Sequence, residues 1–324
     1  MTERNEAALT HRAAAEERVA PAVAGPAATA GRAHAALLLM VLIWGINFPV
    51  AKAALSELNP LAFNALRFPL AALVVFIALR RRGGFCWPER SHRLGVFALG
   101  VLGNVFYQQF FIFGLALTRA GTASVLLAGT PIITALLSAV LGHERVNART
   151  WFGVIATFVG ITLVVAFGGA SSKEGASLLG DLLMIGASVS WAVYTVGSRR
   201  YIEQYGAVQF TAWTLWIGAI GLCLIGLPAV LRTDLTAVSI GAWIGVVYAG
   251  ALSIGLAYLI WYYGVQLIGN TRTAAYSNLV PVVALIAAWL HLGEVPTAGQ
   301  VLGAGVIIAG ITLAQVRTVR QPRS

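Results

Sequence analysis

Charge is scarce in this sequence. Aspartate, glutamate, lysine and arginine together make up 10% of the 324 residues, against 58% hydrophobic, and the mean hydropathy is +0.80. That balance excludes an ordinary soluble fold and leaves a bundle embedded in a membrane. Cysteine is nearly missing as well: Cys86 and Cys223 stand alone, so neither a disulfide framework nor a thiolate metal site is expected. No glycine-rich loop closes on Lys-Ser or Lys-Thr, which removes a nucleotide-driven pump. The histidines, at 11, 34, 92, 143 and 291, are scattered and paired aspartate motifs are lacking. No catalytic residue, metal or cofactor is therefore expected. Gly303-Ala304-Gly305 follows no strand and reads as close helix packing rather than a dinucleotide loop.

What is present is apolar length. A hydrocarbon core of roughly 30 Å needs about 20 residues of helix, and such stretches fall near 36–54, 61–79, 94–117, 121–141, 151–168, 181–198, 207–231, 239–265, 271–292 and 297–316. The expected fold is an all-α membrane protein with ten transmembrane helices. Residues 1–34, with Ala, Pro and Gly and balanced Glu and Arg, read as a disordered cytoplasmic tail, and 317–324 as a second, short tail. The first apolar run begins near Ala35, too late for a secretory signal, so the first helix is expected to remain in the mature chain.

The two halves repeat each other. Gly114, Pro131, Glu144, Gly153 and Gly160 recur 150 positions later as Gly264, Pro281, Glu294, Gly303 and Gly310. Earlier in each half the offset is 147, pairing Trp44 with Trp191, Phe63 with Phe210 and Ala72 with Ala219. The chain divides into a five-helix repeat at 35–168, a linker at 169–180 and a second five-helix repeat at 181–316. An odd number of spans per repeat sends the copies in opposite directions, which predicts inverted repeats around a central cavity and alternating access.

Positive charge is distributed by side. With the N-terminus inside, seventeen arginines fall in the N-terminal tail, the inward loops and the C-terminal tail, including Arg80, Arg81, Arg82, Arg145, Arg199, Arg200 and Arg272. Lys52, Arg119, Lys173 and Arg232 are left outside, and Arg67 lies within the second span. This asymmetry places both termini in the cytoplasm and argues against a nucleic-acid partner.

The candidate site is aromatic and amidic. Trp44, Asn47 and Phe48 share one face of the first helix, and Trp191, Tyr194 and Thr195 the matching face of the sixth. Tyr107, Gln108 and Phe111 on the third span correspond to Tyr258, Trp261 and Tyr262 on the eighth, and Tyr276 and Asn278 come from the ninth. The substrate-binding set expected is Trp44, Asn47, Gln108, Trp191, Tyr194, Tyr258, Tyr276 and Asn278: rings pack on a solute body while amides fix its orientation. Interface anchoring is the alternative for any one aromatic, and it is expected for Trp243 and Trp289. Pro131 and Pro281 are expected to interrupt their helices and free carbonyls toward the cavity, or to make packing kinks. Glu144 and Glu294 sit at opposite faces as gate or helix-end residues. Arg67 is expected to snorkel outward, pair with a carboxylate such as Asp181, or touch substrate. His291 reads as a partly wet residue at the end of the ninth span.

Several of these residues carry a family resemblance. Trp44-Gly45 with Asn47-Phe48-Pro49, Arg67-Phe68, Pro131, Leu141-Gly142 with Glu144, Leu292-Gly293-Glu294, and the paired endings Gly160-Ile161-Thr162-Leu163 and Gly310-Ile311-Thr312-Leu313 resemble the drug/metabolite transporter superfamily, specifically its EamA-type bacterial exporters. His143, standing between Gly142 and Glu144, departs from the second repeat. The resemblance implies a ten-helix basket in the bacterial inner (plasma) membrane that exports amino acids, related metabolites or drugs. Neutral or aromatic amino acids are the expected small-molecule substrates. A phosphorylated-sugar or nucleotide-sugar exchanger using Arg67 and Arg272 is the alternative within transport, and a membrane enzyme or lipid scramblase the alternative outside it. The lipid bilayer is the expected partner, with the chain a monomer or weak oligomer.

Overall fold

The computed structural model describes residues 26–81, 85–140, 148–168, 178–268, 273 and 276–315, and the regular structure among them is helical throughout. Helix α1 spans Pro26–Ala54 and α2 Pro60–Arg81. Helix α3 comprises Arg93–Gly100, a π-helical turn at Val101–Phe106, and Tyr107–Leu117. Helix α4 is in two pieces, Ala120–Leu127 and Thr130–Val140. Then follow α5 (Ala148–Gly168), α6 (Leu178–Tyr205) and α7 (Ala207–Arg232). Helix α8 repeats the plan of α3: Ile240–Val247, a π-helical stretch at Tyr248–Leu256, and Ala257–Ile268. Helices α9 (Val280–Leu292) and α10 (Ala298–Gln315) complete the order.

Six helical stretches are long and apolar enough to cross a membrane: Gly31–Ala54, Pro60–Arg81, Arg90–Leu117, Leu178–Tyr205, Ala207–Arg232 and Ile240–Gly264. Four apolar helices are shorter, at Ala120–Thr134, Trp151–Phe167, Val280–Leu292 and Ala298–Gly310. Large apolar side chains such as Leu38, Leu39 and Leu42 on α1 and Phe152, Ile155 and Phe158 on α5 are exposed. Such continuous apolar exterior is what a lipid solvent requires. Helix α1 begins at Pro26, inside the stretch expected to be a disordered tail. Proline suits a first helical turn, and the alanines that follow are strong helix formers.

Pro131 and Pro281 begin helices rather than kinking them. Each helix is broken two residues ahead of its proline, at Ala128–Gly129 and Asn278–Leu279, positions separated by 150. Proline has no amide hydrogen to lose at a first turn and its ring excludes a continuous helix before it, so the break moves upstream.

Repeat-related helices meet antiparallel. At the α5–α10 crossing a Cβ on Gly160 would lie 2.8 Å from the Gly303 carbonyl oxygen, and one on Gly310 would lie 2.7 Å from that of Gly153. Only glycine lets the two backbones touch in this way. Helices α2 and α7 pair likewise, with Trp216 Nε1 donating to Ala72 O at 3.4 Å and Gly226 seated on Leu61 and Ala65. Other contacts come in exchanged sets: α3 with α6 and α8 with α1, α3 with α7 and α8 with α2, α4 with α6 and α9 with α1.

One end of the bundle is tied by polar contacts. Gly293, at φ 68°, terminates α9 in a left-handed turn. That turn brings Glu294 onto the start of α4, where its carboxylate accepts from the amides of Ala120 (3.1 Å) and Gly121 (3.2 Å). Those amides have no partner within their own helix and carry its positive dipole end. Lys52, at the end of α1, donates to the Leu115 carbonyl (3.1 Å) at the close of α3, and Arg119 donates to Val295 O (2.9 Å). At the same end the Ser239 amide and hydroxyl bond Glu57, which holds that carboxyl below its ordinary range. At the opposite end His92 bonds Tyr205 (2.7 Å), and Trp213 donates to Cys86 O (2.8 Å).

Candidate functional site

The aromatic faces expected from the sequence come together between the halves. Trp44 is half-buried, and its Nε1 donates to Ser253 O at 2.9 Å, a carbonyl of the α8 π-helical stretch. A π turn misaligns the backbone hydrogen-bond ladder and leaves carbonyls free to accept from elsewhere. The Trp44 ring stands edge-on to Tyr258, centroids 6.2 Å apart, and leans on Trp261 at 5.7 Å. Trp191 lies 6.0 Å from the same Tyr258 and contacts Tyr107 (4.8 Å) and Tyr194 (5.1 Å). The two repeat-related tryptophans thus flank one tyrosine. Tyr194 stacks on Phe210, shares a 3.0 Å hydrogen bond with Thr214, and abuts Gly103 in the α3 π turn, where a Cβ would lie 2.3 Å from its ring. Tyr262 bonds Thr211.

Beside this wall lies a buried cation. Arg67 is 1% exposed. Its Nε donates to Asn64 Oδ1 (3.0 Å) and its Nη2 to Gln108 Oε1 (2.7 Å). Asn64 in turn donates to Gln108 O and Gln109 Oε1, both at 3.3 Å. The guanidinium lies over Phe63 at 5.0 Å, with Phe68 and Phe111 at 5.7 and 5.9 Å, so ring faces stand where water would otherwise solvate it. Tyr107 and Tyr258 are within its electrostatic reach. Phe48 is edge-on to Phe111 at 5.7 Å, which carries the cluster back to α1 and the face that holds Asn47.

Six of the expected binding residues, Trp44, Asn47, Gln108, Trp191, Tyr194 and Tyr258, sit in or beside this cluster. Tyr276 does not: its hydroxyl bonds His34 Nδ1 near the start of α1. Asn278 is buried at the break ahead of α9. Arg67 does not pair with Asp181, whose Oδ1 accepts from Thr118 at 2.6 Å, nor does it snorkel outward. Asn64 and Gln108 hold its guanidinium inside the bundle instead. Glu294 engages backbone amides rather than a basic side chain, because a free helix start lies within reach of the Gly293 turn. His291 and Trp289 are exposed near the end of α9, and Trp243 is half-buried. Glu144, His143 and Arg272 lie outside the described residues.

Sequence reasoning missed the Arg67 cradle. Phe63 and Asn64 precede Arg67 by four and three residues and so share its helix face, a spacing visible beforehand. The offset of 147 also pairs Phe63 with Phe210 and Arg67 with Thr214, the two residues that hold Tyr194. Lys52 and Arg119 registered only as topology markers. Their acceptors are helix-end carbonyls, which no side-chain pattern announces.

Known proteins share this layout. The EamA-like transporter family matches the chain twice, at residues 31–166 and 178–315. The chain is 31% identical over 281 residues to an uncharacterized transporter of Bacillus subtilis, YdfC, covering 86% of this chain and 89% of the relative. It is 30% identical to a probable terminal-alkyne amino-acid exporter of Streptantibioticus cattleyicolor, with coverage of 89% and 95%. It is 26% identical to a probable amino-acid metabolite efflux pump of Salmonella typhimurium, with coverage of 85% and 91%. A crystal structure with 21% identity superposes with a TM-score of 0.63, covering 88% of this chain and 98% of its own, and shares the fold. The paired tryptophans, the paired π turns and the paired helix breaks belong to a duplicated membrane transporter, and the chain is a member of the EamA-like transporter family.

Proposed function

We propose that this protein exports small metabolites, with neutral or aromatic amino acids as the solutes, by alternating access through a cavity between its halves. The observation that carries this reading is the continuous ring wall from Trp44 of the first repeat through Tyr258 to Trp191 of the second. Such a wall packs on an apolar or aromatic body, and no single repeat supplies it. Two relatives are named as amino-acid or amino-acid-metabolite exporters, which favours the same class here.

The four shorter apolar helices complete a ten-span arrangement in the bacterial inner membrane with both termini in the cytoplasm, and the repeats 35–168 and 181–316 are inverted. The antiparallel α5–α10 and α2–α7 pairs support that inversion. The tied end is then the outer face, closed by Glu294 on the start of α4. Repeat equivalence makes Glu144 the counterpart of Glu294 at the cytoplasmic face. Transport runs downhill or by exchange: among the described residues the charge beside the ring wall is the fixed cation Arg67, and the buried carboxylate Asp181 is bonded to Thr118.

Reconstitution of the full chain into liposomes with radiolabelled amino acids tests the reading. Trp44→Ala and Trp191→Ala are each expected to reduce flux at least about tenfold while the protein still folds in detergent, in line with the weight aromatic anchors carry at binding surfaces. Wild-type flux in both variants overturns the wall.

A further inference from the structure

We propose that Arg67 is the receptor for the carboxylate of the transported solute, with Gln108 as the placeholder it displaces. This rests on the amino-acid reading above and adds the point of recognition. Arg67 is buried among phenylalanines, and its two polar contacts are neutral amide oxygens on Asn64 and Gln108. The acid–base pairs among the described residues, His92–Glu89 and Arg199–Glu203, lie elsewhere, and Asp181 is engaged by Thr118. A guanidinium removed from water without an anion is costly, and in a membrane interior costlier still.

The fold does not demand a cation here. The equivalent position of the second repeat is Thr214, a neutral residue whose hydroxyl shares a hydrogen bond with Tyr194. Charge therefore entered, or survived, on one side only. Gln108 holds Nη2 at 2.7 Å through a single amide oxygen, and its repeat partner is Tyr258, the centre of the ring wall. Rotation of the Gln108 side chain exposes the forked donors of Arg67 toward the wall, where a carboxylate accepts in their place with two oxygens. On the α1 face, Asn47 is 5% exposed and its Oδ1 has no partner among the described residues. An unmatched acceptor suits the ammonium of an amino acid, whose side chain then lies along Trp44, Tyr258 and Trp191. One fixed cation matches a monoanion; a phosphate dianion calls for a second.

The test uses purified full-length protein and four probes read by quenching of tryptophan fluorescence and by thermal shift. These are L-phenylalanine, 3-phenylpropanoate with the carboxylate alone, 2-phenylethylamine with the amine alone, and phenyl phosphate. Wild type is expected to bind the two carboxylates at least about tenfold more tightly than the amine, the discrimination that charge-assisted bonds supply. Arg67→Gln is expected to bring them within about threefold, and Gln108→Leu to tighten the carboxylates while leaving the amine unchanged. The wild-type comparison decides even where a variant does not fold. Equal binding of phenylalanine and phenylethylamine, with amino-acid flux intact in liposomes, overturns the Arg67 assignment and leaves the exporter standing. Phenyl phosphate binding more tightly than either carboxylate, or no binding and no flux with any amino acid, overturns both.

Discussion

At the scale of single residues, the polar groups are few and several are placed against a backbone or ring. Glu294 is the clearest case. Two amides at a helix start receive its two oxygens, a contact of the kind that stabilises a helix end by about 0.5–2 kcal/mol. If it closes the outer face, Glu294→Ala should shift the population toward the open form by about fivefold or more, since 1 kcal/mol is that much in an equilibrium. A cysteine at Ala123, 0% exposed, in a Cys86→Ser/Cys223→Ser background reads the shift directly. Faster labelling by an impermeant thiol reagent in the Glu294→Ala protein is expected, and an unchanged rate removes the latch.

At the scale of helices, the glycine pairs determine which segments approach and how closely. Gly303→Leu drives a side chain into the Gly160 carbonyl, 2.8 Å from where its Cβ must stand, and overpacking of this kind costs about 1–3 kcal/mol. Gly305, two residues on, has nothing within 4 Å, so Gly305→Leu serves as the control that should leave the melting temperature in detergent alone. Equal stability of the two variants would show that the α5–α10 crossing is looser than drawn. Apolar length was sufficient to read an all-helical membrane fold, and the repeat offsets were sufficient to read its duplication. The π turns were not readable, because the apolar pattern of a π turn differs little from that of the α-helix around it; in α3 the turn carries Gly103, on which Tyr194 packs. Nor was the cradle of Arg67, since its depth depends on how α2 and α3 rotate toward each other. The spacing of Tyr276 from Asn278 likewise says nothing of the His34 that bonds its hydroxyl from α1.

At the scale of the whole molecule, the arrangement predicts both termini on one side. Reporter domains fused at Met1 and at Ser324 should both be active only in the cytoplasm, and activity at opposite faces would overturn the proposed ten-span arrangement. The α5–α10 contact carries a further consequence. Gly153 against Gly310 and Gly160 against Gly303 grip the two helices backbone to backbone at points seven residues apart, about 10 Å along the axis. Helices held this closely at two points resist both separation and a change of crossing angle. On the alternating-access reading proposed above, the last helices of the two halves travel as one strut, and any opening between the halves has to form elsewhere in the bundle.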